Sequence, residues 1–450
     1  MPEIKKLLVA NRGEIALRII RACRDMGIKT VAIYSTADRD ASHVHVADEA
    51  ICVGPAPSKN SYLNESAIIT AAQLTGADAI HPGYGFLSER ASFVEKVEQH
   101  KIIWVGPTAK MIAKMGDKVE AKRTAIKCGL PVVPGSDGAV KDLAEAYIVA
   151  DKIGYPVMLK ASAGGGGKGI RPVLKKSEME EVFALTKAEA KNGFGDDTLY
   201  IEKLLLHPRH IEFQVMADQH GEVVIFGERD CSLQRKNQKV MEECPAAILT
   251  PEIRGDMIEV CRKAVKQMGY TNAGTLEFMY EDGKFYFLEM NTRLQVEHPV
   301  TEQVYGVDLV REQIRVAQGE KLGYAQKDLK ATGHAIEFRI NAEDPETFVP
   351  CAGLITQYHP AGGLGVRVDS AVYSGYKIPP TYDSMIAKLI VFGPDRKVCL
   401  KRAERALGEF GIEGIKTTIP LHLRLLAEKD VQNLKFDNHW LEGYLGKDKK

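Results

Sequence analysis

The chain has 450 residues, 45% of them hydrophobic, and its 60 basic side chains balance 60 acidic ones. That balance leaves no bulk field to draw it to nucleic acid or a membrane surface, and no apolar run reaches the roughly 18 residues a membrane span needs. The N-terminus, MPEIKKLLVANRGEIA, carries charges throughout and no signal-peptide core, and the eight cysteines are scattered without a CxxC pair. Cys23, Cys128 and Cys261 fall among apolar neighbours in helix-like stretches, so they read as reduced core residues of a cytoplasmic protein, not as a metal site or disulfide set.

Residues 1–115 alternate strand and helix. KKLLVA is a strand, EIALRIIRACRDMG an amphipathic helix stopped by Gly27, and KTVAIYS a second strand. Helices ESAIITAAQLTGA and ERASFVEKVEQH alternate with strands ADAIH and IIWVG, a doubly wound α/β pattern. The first turn, Asn11-Arg12-Gly13-Glu14, has a single glycine, which argues against a dinucleotide site. HPGYG, His81 to Gly85, ends a strand and reads equally as a binding loop or a plain turn.

From about 116 the pattern changes. Helix KVEAKRTAIKCG precedes the breaker cluster LPVVPGSDG. Helix LAEAYIVADKIG, strand YPVMLK, a glycine run, strand IRPVL, helix SEMEEVFALTKAEA and strand LYIEKLL then read as a small α/β lid over about 132–203. Strands IEFQVMA and EVVIFGE, helix EIRGDMIEVCRKAVKQMG, hairpin TLEFMYEDGKFYFLEMN and one helix, VYGVDLVREQIRVAQG, follow. After Ala331 the chain turns β-rich, with HAIEFRINA, LITQYHP, GVRVDSAV and SMIAKLIVFG ahead of helix RKVCLKRAERALGEFG. The C-terminal GKDKK reads as disordered.

Several segments carry chemistry. Gly164 to Gly167, flanked by Lys160 and Lys168, lie between two strands. The run is either a flexible loop or a flap presenting N–H groups to phosphates, and it matches neither a P-loop nor GxGxxG. In LEMNTRLQVE, Leu288 to Glu297, the residues Glu289, Asn291, Arg293, Gln295 and Glu297 occupy every second position. A continuous strand would put them on one face, either solvated or mixing Mg2+-type oxygen ligands with a fork for a planar oxyanion. Glu277 lies on the other arm of the same hairpin. A two-residue Asp282-Gly283 turn sets Glu277 opposite Leu288, with Glu289 on the other face; a loop starting at Glu281 puts odd-numbered residues together. Shared metal binding by Glu277 and Glu289 needs the second register or a compensating bulge. Arg229, Arg235, Lys236 and Lys239 fall within 229–239 and read as a solvated basic loop or as partners of an anionic nucleotide. Glu202-Lys203 ends a strand whose edge could meet an adenine. Arg339, a charge amid apolar neighbours, is either a structural ion pair or a substrate contact.

ANRGEIALRI, HPGYGFLSE, MGDK, ASAGGGGKG, EMNTRLQVEHPVTE, INAEDP and YDSMIAK together resemble biotin carboxylase of the ATP-grasp superfamily, from Lys5 to about Leu441. The resemblance implies an α/β fold: a Rossmann-like doubly wound domain over 1–115, an ATP-grasp domain with a mobile lid over 116–330, and a β-rich C-terminal domain over 331–446. It implies ATP- and bicarbonate-dependent carboxylation of biotin on a carrier, through carboxyphosphate. The setting is acetyl-CoA carboxylase of fatty acid synthesis; the alternatives are another ATP-grasp ligase or the corresponding component of a pyruvate or propionyl-CoA carboxylase. Lys118, Lys160, His210 and Asn237 are then expected near the nucleotide, Glu202, Lys203 and Leu205 at its adenine, and Gly165, Gly166 and Gly167 over its phosphates. Glu277, Glu289 and Asn291 would hold Mg2+ or Mn2+. Lys239, Arg293, Gln295 and the backbone of Val296 would hold bicarbonate, Glu297 would be the general base, and Arg339, near Tyr84, would stabilise the biotin enolate. Asn237 stands where relatives often have His, and Lys168 where they often have Arg. The sequence has no Ala-Met-Lys-Met site, so a separate biotin carboxyl carrier protein, carboxyltransferase subunits and a second copy in a homodimer are the expected partners.

Overall fold

The computed structural model describes residues 3–161, 170–194 and 196–447, so Gly165, Gly166, Gly167 and Lys168 lie outside the described residues. Strands β1 (Lys6–Val9), β2 (Lys29–Ser35), β3 (Glu49–Gly54), β4 (Ala79–His81) and β5 (Ile103–Trp104) form a parallel sheet in the order β3-β2-β1-β4-β5. Leu7, Leu8 and Val9 are fully buried, as expected of a sheet covered on both faces. Helix Gly13–Asp25 buries Ile15, Ala16, Ile19, Ile20 and Cys23, and Gly27 leaves it at φ 72°, a conformation open to glycine without a Cβ penalty. The strand order reverses between β1 and β4, and the loops leaving two such strands open a crevice at their carboxyl ends. Asn11 ties those loops together. Its Nδ2 donates to the carbonyls of Pro82 at 2.7 Å and Tyr84 at 2.8 Å, while the Tyr84 hydroxyl donates to Glu14.

The chain divides into two compact units, the first Met1–Leu130, Arg209–Phe278 and Leu288–Lys450, the second Pro131–Pro208 with Met279–Phe287. The second unit contains β6 (Val157–Ala161), β7 (Ile170–Val173) and β8 (Leu199–Lys203) in the antiparallel order β7-β6-β8. Its core is Ala146 and Ala150 of helix Leu143–Ile153, Phe183 of helix Met179–Phe194, and Val157, Leu159 and Ile201 of the strands. The outer edge of β8 is covered: Ser136 and Val140 donate their N–H groups to the carbonyls of Ile201 and Leu199, and Lys203 donates its own to Pro134, each at 2.8 Å. Covering removes an edge that would otherwise pair with other chains.

β9 (Arg209–Ala217), β10 (Val223–Arg235), β11 (Gln238–Cys244), β12 (Asn272–Glu281), β13 (Lys284–Asn291), β14 (His334–Asn341), β16 (Val366–Ser370) and β17 (Met385–Gly393) belong to an eight-stranded sheet, whose residues fall in the first unit except for the tip of the β12–β13 hairpin, Met279–Phe287. Its order is β13-β12-β9-β10-β11-β14-β17-β16, and β15 (Gln357–His359) with β18 (Gly411–Glu413) forms a separate ribbon. Pairing from Met241↔Phe338 to Cys244↔Ala335 carries this sheet across residue 331, so the β-rich C-terminal strands extend the sheet before them.

Two sequence expectations are corrected. The segment 229–239 is not a loop: β10 runs to Arg235 and β11 restarts at Gln238. A register shift between Ile225 and Glu228, at Gly227 with φ 77°, re-phases β10 so that Arg229 lies directly opposite Glu212 of β9. A local bulge of this kind leaves little trace in apolar periodicity. The expected single helix VYGVDLVREQIRVAQG is two, His298–Tyr305 and Leu309–Ala317. Gly306 in the left-handed region ends the first, and the Asp308 side chain caps the second through the Arg311 N–H, a stop followed by a start. Helices Ala109–Gly116, Ile419–Ala427 and Trp440–Lys447 had no separate sequence expectation, and the last includes the first residues of the expected disordered tail.

The bulge gives a stability test. A Cβ at Gly227 would collide with the Tyr305 hydroxyl at a positive φ, whereas one at Gly255, inside helix Pro251–Met268, meets nothing within 4 Å. Gly227→Ala should cost about 1–3 kcal/mol, and Gly255→Ala should stabilise by about 0.5–1 kcal/mol. Urea unfolding midpoints of both variants, at unchanged slope, check the opposite signs.

Candidate active site

The polar strand expected over Leu288 to Glu297 stops half-way. β13 ends at Asn291, and helix His298–Tyr305 begins with Pro299 in its first turn, a position where the missing N–H costs nothing. Between them the chain bends, so its polar side chains diverge. Arg293 turns to Glu89, its Nε at 2.8 Å, and to the Asn291 Oδ1 at 2.8 Å. Gln295 and Glu297 turn inward and are buried.

The hairpin turn is the two-residue form, with Asp282 at φ 50° and Gly283 at φ 77°, as a type I′ turn requires. Strict alternation from it would put Asn291 and Glu277 on opposite faces. The Asn291 Nδ2 nevertheless donates to Glu277 at 2.8 Å, and alternation of burial breaks at Leu288 and Glu289, both exposed. The Glu289 carboxyl is raised by partial burial and by the nearby Glu277 and Glu89 charges. A carboxylate raised by a second one close by, with the Asn291 amide beside that second carboxylate, is a donor set that a hard divalent cation relieves; Glu277, Glu289 and Asn291 fit Mg2+. His210, Glu212 and Glu277 also bring ligand atoms within 4.8 Å of one another, and both carboxylates there hold the Lys239 ammonium.

Lys239 is the hub. Its Nζ donates to Glu212 at 2.6 Å, Glu297 Oε1 at 2.6 Å, Glu277 at 3.0 Å and Gln295 at 3.2 Å. Glu277 also accepts from Gln295 Nε2 at 2.7 Å and lies 3.0 Å from the His210 Nε2. Beneath them Arg229, fully buried, donates to Glu212 at 2.6 Å, Gln214 at 2.8 Å, Thr301 at 2.9 Å and Thr275 at 3.3 Å. The second oxygen of Glu297 accepts from Arg339 at 3.0 Å, and Arg339 Nε donates to Glu242 at 2.6 Å. Arg339 is thus in an ion pair and also lines a cavity. Burial alone would raise Glu297, but Lys239, Arg339 and Arg229 hold it far below the usual carboxylate range. Glu277 is likewise lowered against its burial by Lys239 and His210. Burial opposes the Lys239 charge, yet the three carboxylates push its ammonium well above the ordinary range.

A cavity of about 470 Å³ opens where the β1 and β4 loops leave their sheet, and Glu14, Tyr84, Lys239, Val296 and Arg339 line it. It gathers four of the residues expected at bicarbonate and biotin, while Arg293 is held by Glu89 and Gln295 by Glu277. The Val296 carbonyl accepts from Lys388 at 2.9 Å.

Of the residues expected at the nucleotide, Lys118 is exposed at the start of helix Lys118–Lys127 and acts on the Glu289 charge. His210 is buried, its Nδ1 paired with Gln234 at 3.0 Å. Asn237 is exposed at φ 62° in the turn between β10 and β11. In the second unit Lys160 pairs with Glu202, and the Lys203 ammonium donates to the carbonyls of Gly154 at 2.9 Å and Tyr155 at 3.1 Å; Leu205 is half-buried. Sequence reasoning singled out Arg339 as a charge within an apolar strand. It passed over Glu212 and Gln214 in IEFQVMA, Glu337 in HAIEFRINA and Lys388 in SMIAKLIVFG, which carry the same signal.

Residues 3–112 match the family described as biotin carboxylase, N-terminal domain. Residues 117–325 match carbamoyl-phosphate synthase L chain, ATP binding domain, and residues 337–443 the biotin carboxylase C-terminal domain. The chain is 57% identical over 444 residues to the biotin carboxylase of Haemophilus influenzae, covering 98% of this chain and 99% of that one. A crystal structure of the biotin carboxylase subunit of pyruvate carboxylase superposes with a TM-score of 0.93 at 50% identity, covering 98% of each chain. The biotin carboxylase domain dimer of Hydrogenobacter thermophilus 2-oxoglutarate carboxylase, solved with MgADP, ADP and bicarbonate, superposes with a TM-score of 0.85 at 49% identity, covering 99% of this chain and 98% of that one.

Removing the hub should strand its carboxylates. Lys239→Met leaves Glu212, Glu277 and Glu297 without their common cation and should cost about 3–5 kcal/mol, as breaking a buried pair does. Adding Glu297→Gln to that variant should recover part of the loss, and a double-mutant cycle from denaturant unfolding measures the coupling.

Proposed function

The chain belongs to the biotin carboxylase family, and from that premise we propose which of its residues carry each step. The reaction is ATP-dependent carboxylation of biotin by bicarbonate, performed by an ATP-grasp ligase that uses ATP and Mg2+. One observation carries the assignment: Glu297 is bonded on one oxygen by Lys239 and on the other by Arg339, beside the cavity that both cations line. A base held between two cations suits a reaction with two successive anions, bicarbonate and the biotin enolate.

Bicarbonate is assigned to Lys239, Arg293, Gln295 and the backbone of Val296. In the free enzyme Glu297 is too acidic to be a good base, because Lys239 and Arg339 hold its charge. An arriving anion competes for those cations, and each bond Glu297 gives up makes it more basic. Glu297 then takes the bicarbonate proton as an oxygen of bicarbonate attacks the γ-phosphorus, giving carboxyphosphate and ADP. Carboxyphosphate collapses to CO2 and phosphate, and the phosphate accepts the N1′ proton of biotin. Arg339, with Tyr84 nearby, stabilises the enolate that attacks CO2. Glu277, Glu289 and Asn291 would hold Mg2+, which when bound neutralises charge on the polyphosphate. Lys118, Lys160, His210 and Asn237 are assigned to the nucleotide, with Lys160 exchanging Glu202 for phosphate. Gly165, Gly166 and Gly167 are assigned to the phosphates. Glu202, Lys203 and Leu205 are assigned to adenine through backbone groups other than the Lys203 N–H, which Pro134 occupies.

We further propose three domains, 1–115, 116–330 and 331–446, acting in the cytoplasm as a homodimer with a biotin carboxyl carrier protein and carboxyltransferase subunits. No helix among the described residues is long and apolar enough to cross a membrane. Acetyl-CoA is our proposed final acceptor; a pyruvate carboxylase role would use the same residues, because biotin is carboxylated before any acceptor is met.

Phosphate release and carboxybiotin, measured in parallel, test the roles. Glu297→Gln should depress both by about 100- to 10,000-fold, the usual cost of a lost general base. Arg339→Gln should lose carboxybiotin while keeping much of the bicarbonate-dependent phosphate release. Equal loss of both in a folded, ATP-binding Arg339→Gln would remove Arg339 from the biotin step.

A further inference from the structure

Four carboxyls, Glu14, Glu242, Glu297 and Glu337, are buried around two cations, Arg339 and Lys388. The cations are largely spent. Arg339 serves Glu242 at 2.6 Å and Glu297 at 3.0 Å, while Lys388 lies 3.3 Å from Glu14 and donates to the Val296 carbonyl. Glu337 is left over. It is completely buried, and neither of its oxygens has a hydrogen-bond partner among the described residues. In the ladder it stands directly opposite Glu242, so the two Cβ atoms are about 4.5–5.5 Å apart. The second oxygen of Glu242 also lacks a partner. Two buried carboxyls at that spacing, with one guanidinium bonded to one of them, do not both ionise.

We propose that Glu242 and Glu337 share one proton, held on Glu337, and that Glu337 is thereby a positioning residue for Arg339. Its hydroxyl donates to the free oxygen of Glu242, a strong charge-assisted bond, and fixes the Glu242 carboxylate that orients the Arg339 Nε. A neutral Glu337 also leaves the guanidinium its positive charge to set against the biotin enolate. The groups facing Glu337 agree with this. Burial pushes its carboxyl well above the ordinary range; Glu242 on β11 and Glu297 at the head of helix His298–Tyr305 add to the rise, against Lys388 on β17 and Arg339 on the same strand. Burial likewise raises Glu242 to about 7, opposed by Arg339. His298, next to Glu297, is kept neutral by burial and by Lys388.

Loss of the Glu337 proton to alkaline solvent would set a second carboxylate against the guanidinium, so the enolate would form beside uncompensated negative charge. This rests on the assignment of Arg339 to the biotin step. Carboxybiotin formed per phosphate released is therefore measured from neutral to alkaline pH in wild type, Glu337→Gln and Arg339→Gln. In wild type the ratio should fall by about tenfold per pH unit beyond the transition, as for any single ionisation, while bicarbonate-dependent phosphate release persists. Glu337→Gln, whose amide is neutral throughout, should keep the neutral-pH ratio and lose the alkaline fall. An unchanged fall in Glu337→Gln overturns the proposal, and so does a flat ratio in wild type, a readout that requires no variant to fold. Failure of the Arg339 assignment itself appears separately, as loss of both products in Arg339→Gln.

Discussion

One ammonium holds three buried carboxylates. Lys239 meets Glu212, Glu277 and Glu297 within 3.0 Å, and in a poorly solvated interior neither side is stable without the other. Taking such charges from water costs several kcal/mol per ion unless hydrogen bonds and opposite charges replace the lost solvation. The replacement here is nearly complete on the Glu212 side, where Arg229 adds bonds to Glu212, Gln214, Thr275 and Thr301. Backbone features around the hub follow from that requirement. The bulge at Gly227 sets Arg229 opposite Glu212, and the bend after Asn291 brings Gln295 and Glu297 to the same ammonium.

The network is asymmetric in a way that suits chemistry. Arg229 is fully buried and bonded to groups that are themselves buried, so it has nothing to exchange. Lys239 and Arg339 line the cavity and hold opposite oxygens of Glu297. Their bonds can be traded for bonds to an incoming anion at small net cost, because one charge-assisted hydrogen bond replaces another. With a fixed cation below and exchangeable cations above, the basicity of Glu297 depends on what else those exchangeable cations bind.

Continuity of the sheet makes this possible. Lys239 and Glu242 come from β11, Arg339 and Glu337 from β14, and Lys388 from β17, and these strands are neighbours in one ladder. Cross-strand spacing is set by backbone hydrogen bonds and not by side-chain preference, so charges on adjacent strands keep their separation when a single contact is exchanged. The crevice of the parallel sheet supplies the opposite wall through Glu14 and Tyr84, held where Asn11 bridges the β1 and β4 loops.

The sequence by itself determined the alternation of strand and helix in the parallel sheet, the strands of the second unit, and the family, because apolar periodicity and short motifs are local properties of the chain. It marked Arg339 as a charge that had to be paired. Tertiary structure decided what depends on contacts distant in sequence: that 229–239 lies in two strands, that the strand within Leu288 to Glu297 ends at Asn291, and that Arg293 turns to Glu89 while Gln295 and Glu297 turn to Lys239. It also decided that Asn291 reaches Glu277 despite the two-residue turn, and that Glu242 meets Glu337 across a ladder joining residues almost a hundred apart. The physical reason is the same in each case. A buried charge takes its meaning from partners that pairing between distant strands brings to it, and a bulge or bend of one residue, nearly silent in composition, chooses which partners those are.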